Sequence, residues 1–267
     1  MVIESVVVTT STHPSSDLEV RARRIAGELG APYVPRHSDS LASVIARTEA
    51  DQLLLVCVNR IGLHDTTTGT EYFFHPNMIS VRAHHQMRGE RDLFLEATGL
   101  ESGDSHLDCT LGFAAEATLA AITVGIEGTV VGLESVPALA AVTQEGLQTF
   151  PMPQPQIAQA MRRVQVVTAD YREYLKKCDS DIFDVVYFDP FFHERLSGAE
   201  TSVSPLAHFG NNAPLESEAV QEARRVARRC VVIKHPHHEP LPMEIAQAIS
   251  RTVTTRHSRL IYSILSP

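Results

Sequence analysis

Four acids carry the chemistry that this chain suggests: Asp108, Glu134, Asp170 and Asp189. Each stands at or just past the end of a short apolar run. The most specific setting is that of Asp189, within Phe183-Asp-Val-Val-Tyr-Phe-Asp-Pro-Phe-Phe192. An exocyclic amine on an aromatic base is a poor nucleophile, because its lone pair is delocalised into the ring. Hydrogen bonds from such an amine to Asp189 and to the Pro190 carbonyl would pull it towards a tetrahedral shape. Proline fixes φ and stiffens the turn. Phe191 or Phe192 would stack on the base, at roughly 1–3 kcal/mol per base. An ordinary carboxylate, with a pKa near ~3.9, is ionised and only weakly basic at neutral pH. Asp189, Pro190, Phe191 and Phe192 therefore form the expected catalytic set, with Asp189 aligning the amine and stabilising charge. The competing reading is a buried turn with both phenylalanines in the core.

The second chemical element is the turn Asp108-Cys109-Thr110-Leu111-Gly112. Gly112 lets a ligand approach the backbone, because it has no Cβ. The helix predicted just beyond it offers free N–H groups and a partial positive charge. Glu134 lies 22 residues after Gly112, near the spacing at which an acid reaches ribose hydroxyls. A dinucleotide fingerprint would need further glycines, but Gly112 is followed by Phe113, Ala114, Ala115 and Glu116. This disfavours an oxidoreductase, and the chain has no G-x-x-x-x-G-K-[ST] loop. A ligand with adenosine but no phosphates fits better, and S-adenosylmethionine (SAM) is such a ligand. A methyl transfer from its sulfonium would depend mainly on proximity. A plain tight βα turn is the competing reading.

The elements that would position these residues follow from periodicity. From Ser105 the pattern predicts strand 105–109, helix 113–124, strand 129–134, helix 138–149, helix 156–163, strand 164–168, helix 171–177 and strand 184–188. Helix 214–229, strand 230–234, a helix near 242–249 and a hairpin over 252–265 follow. Alternating strands and helices imply an α/β fold, with a mostly parallel sheet, helices on both faces and a C-terminal antiparallel hairpin. Ligands of such sheets bind at the carboxyl ends of the strands, where all four acids would sit. Residues 1–74 read as a small N-terminal α/β domain, 75–104 as a connector and 105–267 as the domain bearing the acids. The small domain comprises strand 6–10, helices 17–29 and 40–47, strand 52–58 and a hairpin over 61–74.

Several charged clusters stand outside this frame. The connector carries Arg82, His84, His85, Arg88 and Arg91, either a contact for a polyanion or a solvated helix. Glu90 and Asp92 offset two of the arginines and favour the solvated helix. Residues 193–213 form a long loop, and loops of that length are usually functional. His193, Glu194, Arg195 and His208 there are candidate substrate contacts. Arg224, Arg225, Arg228 and Arg229 suit the end of a helix, with a phosphate contact as the second reading. His235, His237 and His238 lack a cysteine, or any acid but Glu239, at ligand spacing, so no metal is expected.

The chain has 267 residues, 43% of them apolar, and a net charge of −9. That balance excludes a generally basic coat, so nucleic-acid binding would need a local patch. Cys57, Cys109, Cys178 and Cys230 are scattered and read as reduced residues of a cytosolic protein. No signal peptide or membrane span is visible.

Together these residues resemble the class I SAM-dependent methyltransferases, and more closely the RsmJ-like (YhiQ-like) family and its YpiP-like relatives. The resemblance rests on Asp108-Cys-Thr-Leu-Gly112, Glu134-Ser135, Asp189-Pro-Phe-Phe192 and Val231-Val-Ile-Lys-His-Pro236, with His75-Pro76, Met78 and Arg82 upstream. It covers residues 70 to 265 or so. It implies a Rossmann-like methyltransferase sheet, SAM as cofactor and transfer of a methyl group to an exocyclic amine, that of guanine in small-subunit ribosomal RNA, in the cytoplasm. By the same resemblance Asp108, Thr110 and Gly112 form the cofactor turn, and Gly112 with Glu116 lines the methionine end of SAM. Glu134 and Ser135 hold the ribose, Asp170 and Tyr171 the adenine, and Asp189 faces both SAM and the acceptor. The family's Gly-Arg-Asp after the first glycine is Ala114-Ala115-Glu116 here. An adenine amino-methyltransferase on DNA or RNA is the alternative within this chemistry. A non-catalytic SAM- or nucleotide-binding module is the alternative outside it.

Overall fold

Short apolar runs become strands, and amphipathic stretches become helices, in the computed structural model. It describes residues 5–76, 79–191, 204–256 and 258–267. In chain order the elements are β1 (Val6–Thr10), α1 (Ser16–Leu29), α2 (Leu41–Thr48), β2 (Gln52–Val56), β3 (Ile61–Asp65), β4 (Glu71–Phe73), α3 (Ile79–Met87) and α4 (Leu93–Thr98). Then come β5 (Ser105–Asp108), α5 (Ala115–Val124), β6 (Thr129–Glu134), α6 (Pro137–Thr149), α7 (Pro155–Arg163), β7 (Gln165–Thr168), α8 (Tyr171–Lys177) and β8 (Phe183–Phe188). The last are α9 (Ser204–Phe209), α10 (Ser217–Val226), β9 (Ala227–Pro236), α11 (Met243–Gln247), β10 (Ile249–Val253) and β11 (Leu260–Leu265).

These elements form two units. The first comprises Met1–His75, Val136–Pro151 and Ser202–Gly210. Its sheet has the order β1-β2-β3-β4, with β1 and β2 parallel and the rest antiparallel. Ser15 caps α1 by accepting from the Leu18 N–H, and Gly30 ends the helix in the left-handed region. Helix α6 belongs to this unit, and its nearly buried Glu145 takes Arg21 at 2.7 Å and also Arg24.

The second unit comprises Pro76–Ser135, Met152–Thr201 and Asn211–Pro267. Its sheet has the order β10-β11-β9-β8-β5-β6-β7. Strands β7, β6, β5, β8 and β9 are parallel, and β11 and β10 complete the sheet antiparallel. This is the mostly parallel Rossmann-like sheet with a C-terminal antiparallel hairpin that the periodicity predicts. One face buries Leu107, Leu133, Val186, Phe188, Val231 and Ile233 against Leu175 of α8, Val220 and Ala223 of α10 and Ile245 of α11. Side chains alternate across a strand, so His106, Asp108, Gly132, Glu134, Tyr187 and Lys234 belong to the other face. There Phe94 of α4 stands edge-on to the rings of His106 and Tyr187, at 5.7 and 5.1 Å. Burying one such aromatic stabilises the fold by roughly 1.5–3 kcal/mol. Burial also drops the His106 pKa to about 3, so this ring packs as a neutral group.

Three expectations change. The stretch 193–213, read as a loop, holds helix α9 over Ser204–Phe209, and its residues before Ser204 lie outside the described residues. The helix predicted to reach residue 229 ends at Val226, and β9 starts at Ala227. Ala227 already pairs with Phe183 of β8, while Arg228 and Arg229 turn outward to Asp184 and Asp104. The connector is two helices, α3 and α4, rather than one solvated linker, and Asp92 caps α4 through the N–H groups of Phe94 and Leu95. Among the described residues, no helix is long and apolar enough to cross a membrane.

Candidate active site at the carboxyl ends of the strands

From β5 the chain winds outward through β6 and β7, then returns to add β8 and β9 on the other side. The crevice at such a reversal is where open α/β sheets bind ligands. The residues that surround it are tied together by backbone bonds. Leu111 N–H donates to the Leu133 carbonyl at 3.0 Å, and Cys109 N–H to the Tyr187 carbonyl at 2.9 Å. Thr110 Oγ1 accepts from the Asp189 N–H at 2.6 Å. The Gly112 turn is thus fastened to the ends of both β6 and β8.

Gly112 itself has φ 51°, the left-handed region that favours glycine, and Ala114 adopts φ 57° two residues later. A non-glycine residue held there stores strain of the kind found around ligand sites. Ala114 is the N-cap of α5 and gives its first turn no side-chain hydrogen bond. A half-buried glycine and an uncapped helix start suit a ligand brought close to backbone N–H groups. Gly132 makes the turn possible, because a Cβ there would lie 2.3 Å from Leu111 Cδ1.

Above this turn lies a chain of charges. Lys234 Nζ stands 2.6 Å from Asp189 Oδ2 and 3.4 Å from Glu116 Oε1. Arg82 reaches Glu116 Oε1 at 2.8 Å and Asp92 Oδ2 at 2.9 Å. Lys234 and Glu116 keep only 16% and 15% of their side chains exposed, whereas Asp189 keeps 33%. Burial works to raise the Glu116 pKa, but Lys234 and Arg82 outweigh it and hold the carboxylate at about 2. Burial works to lower Lys234, but Asp189 and Glu116 outweigh it and keep the ammonium charged. At Asp189, burial raises the proton affinity above the ordinary carboxylate value, Glu116 adds to that, and Lys234 opposes it. Asp189 Oδ2 is therefore engaged, while Oδ1 has no hydrogen bond among the described residues.

Asp108 is 1% exposed. Burial pushes its pKa up to about 8, against one bond from the Thr110 N–H at 3.0 Å. Glu134 and Ser135 are half-buried at the end of β6, on the same edge as Asp108. Asp170 is the N-cap of α8 and takes Arg172 at 2.6 Å. Tyr171 stands edge-on to Phe188, with its phenol pushed up to about 12 by burial. Pro190 is buried and Phe191 half-buried. Phe192 lies outside the described residues, as do Met78, His193, Glu194 and Arg195.

The arrangement brings Asp108, Thr110, Gly112, Glu116 and Asp189 together around one crevice. Two members of the cluster, Arg82 and Lys234, stand in the stretches that carry the resemblance, but sequence reasoning gives them no role in the site. Arg82 reads as a solvated connector residue, yet it is 21% exposed and bridges two acids. Lys234 reads as the last residue of strand 230–234, with no role in the site. The signal that could have found it is strand alternation, since Val231 and Ile233 face the apolar layer and Lys234 must face the other way. The remaining clusters have structural partners. Arg225 binds Glu222 and the carbonyls of Leu175 and Cys178, and Arg224 binds the last two carbonyls of the chain. His235 Nε2 pairs with Ser263 Oγ at 2.9 Å. His208 pairs with Asp65 at 2.8 Å in the first unit.

Comparison with known proteins bears on this geometry. The model of the family described as "Putative SAM-dependent methyltransferase" matches residues 40–263. The chain is 36% identical to the "Uncharacterized protein YpiP" of Bacillus subtilis (strain 168) over 234 residues, 88% of this chain and 90% of that one. It is 29% identical to ribosomal RNA small subunit methyltransferase J of Nitrosococcus oceani over 228 residues, 80% and 83% of the two chains. A solved SAM-dependent methyltransferase of Neisseria gonorrhoeae shares the fold, with a TM-score of 0.65 at 18% identity over 98% of this chain and 96% of the other.

Proposed function

The chain belongs to the family of SAM-dependent methyltransferases, and from that premise we propose that it methylates an exocyclic amine of a nucleic-acid base, namely guanine in small-subunit ribosomal RNA. The observation that carries this reading is the state of Asp189. One oxygen is fixed by Lys234 at 2.6 Å, the other has no hydrogen bond among the described residues, and the Pro190 carbonyl follows directly. The ribosomal substrate is supported by the similarity to the Nitrosococcus oceani enzyme, and it implies a cytoplasmic protein.

SAM, the cofactor of the family, supplies an electrophilic methyl group carried on a sulfonium cation. In this reading Gly112, Asp108 and Thr110 shape the turn against its methionine end, beside Glu116. Glu134 and Ser135 take the ribose, and Asp170 and Tyr171 the adenine. The acids gathered at the crevice suit a cationic ligand. Asp189 Oδ1 and the Pro190 carbonyl accept the two N–H bonds of the base amine and turn its lone pair out of the ring, while Phe191 flanks the base. When the nitrogen gains the methyl group it becomes cationic and acidic. Asp189 then accepts one proton and passes it to solvent through its exposed third. Lys234 opposes the rise in proton affinity that burial imposes on Asp189, so in this reading the carboxylate aligns the amine first and accepts a proton only afterwards.

Nucleoside analysis of small-subunit ribosomal RNA from a strain lacking the gene tests this proposal. One guanosine methylated on its exocyclic amine should disappear and return on complementation. An unchanged set of methylated guanosines would refute the substrate.

A further inference from the structure

An open cavity of about 500 Å³ lies where β9 ends and the β10–β11 turn folds over, lined by His237, His238, Thr254, Ser258, Arg256 and Arg259 among others. It sits on the reactive edge of the sheet. Lys234 pairs with Tyr262 and Pro236 with Leu260, so the turn before Leu260 projects beyond Lys234 on the same side. Two residues along a strand cover about 7 Å, so the cavity begins about one nucleotide's length past the lysine that holds Asp189.

Its walls are held by their own bonds. His237 Nε2 meets Thr254 Oγ1 at 3.1 Å, His237 N–H donates to the Arg259 carbonyl at 3.0 Å, and Ser258 Oγ donates to the Leu260 carbonyl at 2.9 Å. The two guanidinium groups are exposed and, among the described residues, have no carboxylate partner. This sets them apart from Arg82, Arg172, Arg225, Arg228 and Arg229, each of which is spent on an acid. In a chain of net charge −9, two guanidinium groups in one cavity with no carboxylate partner among the described residues, beside two histidines, are a local anion site. Guanidinium forks match phosphate oxygens in geometry and charge.

We propose that this cavity binds phosphodiester groups of the RNA strand that flank the target base. The inference rests on the nucleic-acid reading above and adds to it a place where the backbone is gripped. Filter binding of small-subunit ribosomal RNA transcribed in vitro, repeated across a salt series, tests it with wild type, R256A/R259A and R256K/R259K. Each phosphate neutralised on a single strand contributes about 0.7 to the slope of log affinity against log salt. The alanine pair should therefore lower the slope by about 1.4 and weaken binding at low salt roughly tenfold or more. The lysine pair should keep most of both, and SAM affinity by calorimetry should be unchanged in either variant. Wild-type binding with an unaltered slope in the alanine pair overturns the cavity alone, as does an equal loss in the lysine pair. Failure of the wild type to bind the RNA removes the nucleic-acid reading itself, and the cavity with it.

Discussion

At Asp189, three neighbouring charges decide how the carboxylate behaves. Lys234 and Arg82 bracket Glu116, and Lys234 also touches Asp189. Replacing Lys234 by Gln would leave the Asp189 and Glu116 carboxylates without the cation between them, with Arg82 still paired to Glu116. Removing one partner of a buried pair costs roughly 3–5 kcal/mol, and the partial exposure of Asp189 puts this site at the low end. The variant should also show its role kinetically. Lys234 lowers the proton affinity of Asp189, so without it the acidic limb of the pH–kcat profile moves to higher pH. A profile that keeps its limb while only stability falls would make Lys234 a structural residue. Asp189 and its proline are legible in the sequence, because an acid, a proline and aromatics at a strand end are a local pattern. Arg82 and Lys234 are not, because each gains its meaning from a partner more than 30 residues away. Asp170 was legible as a strand-end acid, and the structure adds that it caps α8 and pairs with Arg172.

Among the elements, the turn between β5 and α5 is tied on two sides, to β6 and to the end of β8. Leu111 fills the space that Gly132 leaves on β6, and Thr110 ties the same turn to Asp189. Gly132→Ala should push Leu111 away, at a cost of roughly 1–3 kcal/mol from overpacking. It should also weaken SAM binding, because Gly112 moves with the turn. Thermal melts and calorimetric titration check the two effects together, and intact SAM affinity in a destabilised variant would separate the turn from the cofactor. The sequence marked β6 and α8 to the residue, since Thr129–Glu134 and Tyr171–Lys177 are bounded by clean changes of period. It extended α10 too far, because four arginines near a helix end look like dipole compensation until the strand partner Phe183 claims Ala227. Helix α6 gave no sign that it belongs to the first unit, since an apolar stripe of period 3.6 looks alike whichever sheet it serves.

For the whole molecule, Asp108 couples the site to stability. Its folded pKa of about 8 exceeds the ordinary value near 3.9. Unfolding therefore releases a proton between those limits, and stability falls as the pH rises from about 4 to 8. Asp108→Asn removes the dependence, so relative to wild type the variant should gain a few kcal/mol between pH 5 and pH 9, at about 1.4 kcal/mol per pKa unit. Urea denaturation at both pH values checks this, and parallel stability curves would contradict it. The α/β class and the order of elements were legible across the chain because alternating strands and helices admit few topologies. The make-up of the first unit from three separate stretches was not, because no composition change marks them. The central claim is methyl transfer to a base amine aligned by Asp189. Its most direct test is incubation of the protein and its Asp189→Ala variant with isotope-labelled SAM and small-subunit ribosomal RNA from a strain lacking the gene, followed by nucleoside mass spectrometry. The account predicts label on the exocyclic amine of guanosine with wild type and at least a hundredfold less with the variant, on the order of what a positioned proton acceptor contributes. Label on a ribose oxygen or a ring carbon, or equal labelling by both proteins, would contradict it.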